Sequence, residues 1–239
     1  MKIVKRMCFQ KYNRRSVMIP IKRQLFIFGA LVLSGLTGIV LFMAGIHGKS
    51  NEINNNWLPS IIHVSNINKL TSDFRINELQ HILSLNNDQM NAYESEIVRI
   101  TELINGELRM YEPLITTPLE KTLYADFVLK WNEYLKQHQQ MVSLSRENRN
   151  EEAKILIRDR SDMLFKEYSS SLKALVAENR HLAHIETVEG RDLVWLSVAN
   201  ILLVLGLVAY AVYTTVQYMK KMFNKVITSC VSIMTELSV

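Results

Sequence analysis

The stretch LFIFGALVLSGLTGIVLFMAGI, Leu25 to Ile46, contains 22 residues and no charge. A helix of about 20 apolar residues crosses the roughly 30 Å of hydrocarbon in a bilayer. A second stretch, LVWLSVANILLVLGLVAYAVYTTV, runs uncharged from Leu193 to Val216. Neither stretch shows the alternation of polar and apolar residues that a barrel strand has. In lipid, a helix is then the structure that satisfies the backbone hydrogen bonds of each stretch. The sequence therefore predicts two membrane-spanning helices, residues 25–46 and 193–216.

The charges of the chain are segregated around these two stretches. Residues 1–24 contain eight lysines and arginines and no acidic residue, and Lys220, Lys221 and Lys225 follow the second stretch. Because basic residues stay on the cytoplasmic side of a spanning helix, we predict that both termini are cytoplasmic and that residues 47–192 lie outside. This topology explains the basic tail, so we do not expect a nucleic-acid partner.

The first apolar stretch is expected to remain as an anchor. A cleaved signal peptide has a shorter apolar core and small residues at its cleavage site, and Met43–Ile46 does not offer such a site. Cys8 and Cys230 fall in the predicted cytoplasmic segments, residues 1–24 and 217–239, where thiols stay reduced. The domain between the spans has no cysteine and must be held together by packing alone.

The segment between the two spans has a helical composition, because helix formers dominate it and strand-like alternation is absent. We predict four helices: one from the span to about Leu85, one from the Asn86–Asp88 turn to Tyr111, one from Thr117, and one from about Asn148 into the second span. The Asn86–Asp88 turn is expected to supply the N-cap of the second helix. Long helices joined by short connections favour an up-down-up-down bundle. The predicted fold is therefore all-α, a periplasmic four-helix bundle (47–192) between two transmembrane helices.

Three local signals support these boundaries, and one opposes them. Thr117-Pro118-Leu119-Glu120 has the pattern of a capping box with proline at the first helical position. Glu112-Pro113 is expected to end the second helix, because the residue before proline avoids helical angles. Asn148–Glu151 is expected to cap the fourth helix. Pro59 lies inside the first predicted helix and is expected to bend it.

Several short motifs, taken in order, are similar to a known family. They are Trp57-Leu58-Pro59-Ser60, Ile67-Asn68-Lys69-Leu70 with Asp73-Phe74-Arg75-x-x-Glu78, Tyr93-Glu94, Trp131-Asn132-Glu133-Tyr134-Leu135 and Ala153. Together with the order span, bundle, span, they resemble the four-helix-bundle sensor portion of methyl-accepting chemotaxis proteins. The resemblance covers most of residues 25–216.

The resemblance implies a sensor of the bacterial inner membrane that works as a homodimer. It implies a small-molecule ligand of the amino acid or small carboxylate class, bound in the membrane-distal part of the bundle. It also implies a cytoplasmic linker and a coiled-coil signalling domain, which residues 217–239 do not contain. Their apolar residues indicate only a short amphipathic helix: Phe223, Ile227, Ile233 and Met234. We therefore expect a truncated receptor, or a chain that acts with a chemoreceptor or kinase partner.

One charged stretch raises the question of a ligand site. NINKLTSDFRINELQHILSL, Asn66 to Leu85, carries Asp73, Arg75, Glu78 and His81 within nine residues. The simpler interpretation is a solvated helix face with local ion pairs, Lys69 with Asp73 and Arg75 with Glu78, each contributing a few tenths of a kcal/mol.

The functional interpretation makes Arg75 a ligand contact, because a guanidinium binds a carboxylate through two hydrogen bonds. The start of the fourth helix should lie beside it and offers Arg158 and Arg149 as further cations. Arg149 is equally explained as a loop charge. Asn68 could donate to a ligand or form a polar layer of the bundle.

Other candidate sites have weaker signals. His181 and His184 share a helix face, with Glu178 upstream, but a third metal ligand is not evident, so we predict no metal site. Trp131 and Tyr134 have the spacing of core residues. No nucleophile is paired with a base and no glycine-rich loop is present, so we predict neither an enzyme nor a cofactor.

The sequence therefore predicts a membrane-anchored sensor of the chemoreceptor type, which detects a small periplasmic solute and transmits through the second span in chemotaxis or signal transduction. Two alternatives stay open: a non-catalytic membrane scaffold, and an input module for a histidine kinase or cyclase partner. A polar cavity between the membrane-distal helix ends would favour the sensor. A packed apolar seam throughout would favour the scaffold.

Overall fold

The computed structural model describes the backbone of residues 14–236 and the side chains of residues 22–229, 231, 232 and 235. The helices are α1 (Arg14–Glu52), α2 (Leu58–Ile82), α3 (Asn87–Tyr111), α4 (Pro118–Arg146), α5 (Asn150–Arg158) and α6 (Arg160–Glu236), with a π-helical turn at Ile53–Trp57 and a 3₁₀ turn at Glu112–Leu114. The described residues contain no strand. The prediction of an all-α four-helix bundle is confirmed.

The chain divides into two compact units. One is Gly48–Glu189, which we call the bundle, and the other combines Met1–His47 with Gly190–Val239. By length and composition, two helical stretches are apolar enough to cross a membrane; they lie within Lys22–Ile82 and Asn150–Ser229. Only 6% and 0% of their most apolar windows are buried, so the protein itself leaves these apolar side chains uncovered.

The bundle consists of α2, α3, α4 and the pair α5–α6, with successive helices antiparallel. We call the end with connections 83–86 and 147–149 the tip, and the end with connection 112–117 the base. The main core contains aromatic and branched side chains from α2, α3, α4 and α6. They are Val64, Ile67, Phe74, Ile97, Ile100, Ile104, Tyr111, Phe127, Trp131, Tyr134, Leu164, Tyr168, Leu172 and Leu175. Trp131 and Tyr134 are 3% and 0% exposed, so their prediction as core is confirmed.

A second, smaller core lies at the tip. It contains Ile82 from α2, Met141 from α4, and Ala153 and Ile157 from α5. The four side chains are at most 4% exposed. Because α5 packs on this cluster and not on the main core, the short helix forms a separate cap on the tip.

The predicted caps at two helix starts are confirmed. The amide of Glu120 donates to Thr117 Oγ1 at 3.2 Å, and the amide of Thr117 donates to Glu120 Oε2 at 3.0 Å. This reciprocal pair satisfies two of the amides that a helix start leaves free. At the start of α3, Asn86 Oδ1 accepts from the amide of Gln89 at 2.9 Å.

Pro59 widens the helix where we expected a bend. Proline lacks an N–H and its ring clashes with the carbonyl four residues earlier. The chain responds with the π-helical turn Ile53–Trp57, in which the amide of Leu58 bonds to the carbonyl of Ile53.

The fourth predicted helix differs from the structure in two ways. Asn148 has φ of 59° and ends α4: its amide bonds to the Ser145 carbonyl, and the amide of Arg149 bonds to the Leu144 carbonyl, the pattern of a Schellman motif. Asn148 was expected to cap the next helix, which instead begins after Arg149 without a side-chain cap. That helix is then interrupted at Asp159, whose φ and ψ are −94° and −93°.

In the other unit, the two apolar helical segments approach closely at glycines. Gly35 lies against Val204, Gly38 against Asn200 and Gly45 against Leu193. Higher residue numbers on one helix meet lower numbers on the other, so the segments are antiparallel. The absence of a Cβ at these positions permits the close approach.

Candidate functional site

Three polar side chains of α2 point into the tip half of the bundle. Arg75, Glu78 and His81 are spaced by three residues and therefore share a face. Glu78 is 2% exposed and His81 is fully buried, and the Arg75 side chain is 14% exposed. The interpretation of these residues as a solvated face is therefore wrong. Polar groups buried in this way need partners, and α3, α4 and α6 supply them.

Arg75 connects α2 to both α4 and α6. Its Nη2 donates to Asp162 Oδ1 at 3.0 Å, and its Nη1 donates to the Tyr134 hydroxyl at 3.4 Å. The guanidinium carbon lies 4.7 Å from the centre of the Phe165 ring, within the range of a cation–π interaction. The expected local pair with Glu78 is therefore wrong, since the arginine pairs across the bundle.

The interruption between α5 and α6 provides another acceptor for this arginine. In an unbroken helix the carbonyl of Ile157 would accept from the amide four residues later. The irregular backbone at Asp159 interrupts the helix at this point, and Arg75 Nη2 donates to the Ile157 carbonyl at 3.3 Å. The arginine thus holds both sides of the interruption, through Ile157 before it and Asp162 after it.

Glu78 is held by two donors from α4. The hydroxyl of Tyr134 donates to Glu78 Oε2, and His138 Nδ1 lies 2.7 Å from Glu78 Oε1. Burial and the neighbouring Glu78 carboxylate raise the pKa of Tyr134. The phenol therefore stays protonated and keeps its role as donor.

His81 continues the polar layer toward the tip. Its Nδ1 lies 3.0 Å from Ser145 Oγ and its Nε2 lies 2.7 Å from Glu94 Oε1. Arg146 Nε donates to the same Glu94 oxygen at 2.7 Å. This hydrogen bond, followed by the one from His81, lowers the pKa of Glu94. The carboxylate thus joins α2, α3 and α4 at one point.

The four predicted ligand residues are not brought together in one site. Arg75 is engaged as described, and the Arg158 side chain is exposed one residue after Ile157. Asn68 lies two helical turns from Arg75 on α2, where its backbone carbonyl accepts from two hydroxyls of its own helix. Arg149 lies beyond the end of α4, with its side chain 49% exposed.

Arg149 lines a groove of about 630 Å³ between the end of α4 and α5. The groove is lined by Gln140, Ser143, Leu144, Glu147, Arg149, Glu152, Ile155, Leu156, Asp159 and Arg160. Arg149 is held by Glu147 at 3.0 Å and by Glu152 at 2.7 Å, and Arg160 pairs with Glu133. The lining of the groove thus combines apolar side chains with charges of both signs, and it includes Arg160, the first residue of α6.

The histidines near the base do not form a metal centre. Within the part of the chain that the structure describes, no group of three histidine, cysteine, aspartate or glutamate side chains is placed to hold a metal ion. His181 and His184 lie on α6, and both side chains are exposed.

Sequence reasoning missed most partners of the α2 residues. Asp162, Glu94 and His138 are separated from their α2 partners by 87, 13 and 60 residues, so local spacing could not reveal the pairs. One signal was present: three ionisable residues at a spacing of three lie beside Phe74 on a helix whose core positions also repeat every three to four residues. When ionisable residues share a helix face with core residues in this way, the ionisable side chains are expected to be buried.

Comparison with known proteins gives two findings. Residues 24–194 match the family model described as a four helix bundle sensory module for signal transduction. The chain is also 29% identical over 157 residues to YvaQ of Bacillus subtilis (strain 168), a protein named as a sensory transducer. That similarity covers 64% of this chain and 28% of the relative, so the chain spans well under half of the relative's length.

Proposed function

The chain belongs to the family of four-helix-bundle sensory modules for signal transduction, of the kind found in methyl-accepting chemotaxis proteins, and from this premise we propose that it detects a small solute outside the membrane and transmits the signal through α6. One observation carries the proposal. Helix α6 starts at the tip with Arg160 and continues for 77 residues to Glu236, through the second apolar stretch. A displacement at its first turn has no loop to absorb it.

The proposed topology is a two-pass protein of a bacterial inner membrane. Both termini would be cytoplasmic and the bundle periplasmic. The basic residues before the first apolar stretch and after the second support this orientation. The uncovered apolar surface of both stretches supports their placement in lipid.

The proposed ligand is an amino acid or small carboxylate that binds at the tip. Arg75 already holds Asp162 at 3.0 Å, and Asp162 is 31% exposed. A ligand carboxylate would therefore compete with Asp162 for the guanidinium. Arg158 adds an exposed cation beside this point, and Asn68 adds an amide on the same helix as Arg75.

The groove beside Arg149 is a second place for such a solute. A zwitterion has one charge for Arg149 or Arg160 and another for Asp159, and an apolar side chain would lie on Ile155 and Leu156. Either position acts on the interruption at Asp159. The polar groove favours the sensor over a scaffold, because a scaffold requires only a packed surface.

The mechanism we propose is a population shift between two registers of α6 against α2. Binding energy moves such an equilibrium only by its difference between the two states. A ligand that replaces Asp162 on Arg75 releases the first turn of α6, so it favours the shifted register. The output then depends on a chemoreceptor or kinase partner on the cytoplasmic side.

A homodimer is proposed from an exposed apolar stripe that runs along α2 and includes Leu83, the residue after its end. Ile62, Ile76 and Leu83 recur at multiples of seven residues, and so do Leu58 and Leu79. All five are 40–60% exposed. Apolar side chains with a heptad spacing form the seam of a two-stranded coiled coil, and a second copy presents the same stripe around a twofold axis.

The first experiment is a thermal melt of the full chain in lipid nanodiscs with a panel of amino acids and small carboxylates. A ligand at 100 times its dissociation constant adds about 2.7 kcal/mol to the unfolding free energy. An increase in the midpoint with one solute, lost in Arg75→Ala or Arg149→Ala, supports the proposal and separates the two positions. A panel without any shift favours the scaffold.

A further inference from the structure

The Trp57-Leu58-Pro59-Ser60 motif builds an irregular helix turn at the base of the bundle. Pro59 imposes the π-helical turn that ends at Trp57, and the hydroxyl of Ser60 donates to Asn56 Oδ1 at 3.3 Å. A π turn contains one residue more than an α-helix needs, and such turns are frequent at functional sites. The turn lies between α1, which contains the first apolar stretch, and α2 of the bundle.

Trp57 buries a hydrogen-bond donor that is unused in this structure. Its side chain is 7% exposed, and among the described residues its Nε1 has no partner. A buried donor left without a partner costs about 1–3 kcal/mol, and tryptophan usually finds an acceptor when it is buried. The present position of the indole is therefore unfavourable for this one group.

Asn179 on α6 buries the complementary acceptor. It is fully buried, and its Nδ2 donates to the Leu175 carbonyl at 2.9 Å and to the Tyr111 hydroxyl at 3.4 Å. Its Oδ1 has no partner within the described part of the chain. The amide is thus fixed in orientation by its nitrogen while its oxygen stays free.

The two unused groups lie at the same level of the bundle. Arg75 of α2 meets Asp162 of α6 near the tip, and Lys49 meets Glu186 near the base. Trp57 lies 18 residues before Arg75, and Asn179 lies 17 residues after Asp162. In antiparallel helices with equal rise per residue, these positions correspond.

We infer that Trp57 sets the position of α6: in a second register of α6 against α2, the indole N–H of Trp57 donates to Asn179 Oδ1. The π turn supplies the freedom that this requires. If the π turn becomes regular α-helix, α1 rotates relative to α2 by about 100°, which is the angle between successive residues in a helix with 3.6 residues per turn. Trp57, at the end of the turn, can then reorient while α2 beyond it stays packed.

This inference names the contact that would distinguish the two registers of the proposed sensing mechanism. It rests on that proposal only for the role of α6 as the moving helix. The hydrogen bond is tested without any ligand. If the hydrogen bond does not form, the proposal of ligand binding still stands. If no ligand is found, the hydrogen bond can still be tested.

The test uses indole ¹⁵N–¹H NMR of the full chain in nanodiscs. The chain has three tryptophans, and Trp57→Phe assigns one signal while it keeps an aromatic ring in place. Pro59→Ala removes the cause of the π turn and should favour the bonded register. The buried Trp131, which lies in the aromatic core, serves as the internal control.

In Pro59→Ala, we expect the Trp57 signal to move downfield and its exchange with solvent to slow. Adding Asn179→Leu removes the acceptor, so it should reverse the change and lower the ratio of the second register to the first by about two- to tenfold, the effect of one hydrogen bond. The Trp131 signal should stay in place in both variants. A Trp57 signal that is unaffected by Asn179→Leu in the Pro59→Ala background overturns the inference, as does a shift of equal size at Trp131.

Discussion

Replacement of Arg75 by alanine removes a side chain that spans the interruption between α5 and α6. Its guanidinium donates to Asp162, to the Ile157 carbonyl and to the Tyr134 hydroxyl, and it lies over Phe165. Asp162 would keep Lys166, whose Nζ lies 2.6 Å from its other oxygen. The Ile157 carbonyl would lose the arginine.

The expected loss follows from these contacts. A charge-assisted hydrogen bond contributes about 1.5–3 kcal/mol, and a partly desolvated cation–π contact contributes about 0.5–2 kcal/mol. Together the two contributions amount to about 2–5 kcal/mol. Because Lys166 still compensates Asp162, the lower half of that range applies, and we expect Arg75→Ala to lower the free energy of unfolding by about 2–3.5 kcal/mol. In a domain of this size each kcal/mol lowers the melting midpoint by about 2–4 °C.

The assay is calorimetry of the full chain in nanodiscs at neutral pH, with Arg158→Ala as the matched control. Arg158 carries the same charge near the same interruption, but it is exposed, so its replacement should change stability by less than about 0.5 kcal/mol. Arg75→Lys should recover only part of the loss, since an ammonium lacks the planar fork. Equal melting midpoints for the two alanine variants would refute the conclusion that Arg75 holds the two sides of the interruption together.

Three further outcomes are expected. Arg146 donates to Glu94 and lowers the pKa of that carboxyl below the ordinary 4.5. This stabilisation is present above pH 4.5 and is lost as the pH falls through the lower folded-state pKa. Melts at a series of pH values below 4.5 should therefore show a shallower acid loss of stability for Arg146→Gln than for the unmodified chain. Thr117→Ala removes the capping box and should lower the unfolding free energy by about 1 kcal/mol, while Thr117→Ser should not; equal denaturation midpoints would contradict the cap. Ile76→Lys should dissociate the proposed dimer in sedimentation of the detergent-solubilised chain, and Leu129→Lys, at a position 69% exposed on α4, should not; a dimer retained by Ile76→Lys would reject the α2 seam.

The sequence allowed the parts of the fold that depend on neighbouring residues to be predicted. The capping box at Thr117 and the cap at Asn86 each join residues three apart, and the apolar stretches are visible without any partner. The apolar repeat also placed Trp131 and Tyr134 in the core. All of these features follow from local spacing.

The parts that failed depend on contacts between distant residues or on backbone angles. Asn148 was read as a cap for the following helix, because asparagine suits both that role and the left-handed end of the preceding helix. No proline or glycine near Asp159 indicates in the sequence that the helix is interrupted there. The partner of Arg75 is 87 residues away, and the charge pattern alone suggested the nearer Glu78.

The tip and the middle of the bundle differ in how strongly they resist displacement of a helix. In the middle, Trp131 lies within 5.5 Å of the rings of Phe74, Tyr134 and Tyr168, and removal of such a side chain from a core costs about 3–5 kcal/mol. At the tip, a small cluster and hydrogen bonds hold α5 and the start of α6, and exchange of one hydrogen-bonded partner for another changes the free energy by about 1 kcal/mol. A solute that contributes a few kcal/mol can therefore rearrange the tip and cannot repack the aromatic middle. Helix α6 passes through both regions without a break. In the proposed mechanism, a change at its first turn would therefore pass the aromatic middle as a small displacement of the helix that keeps its core contacts in place.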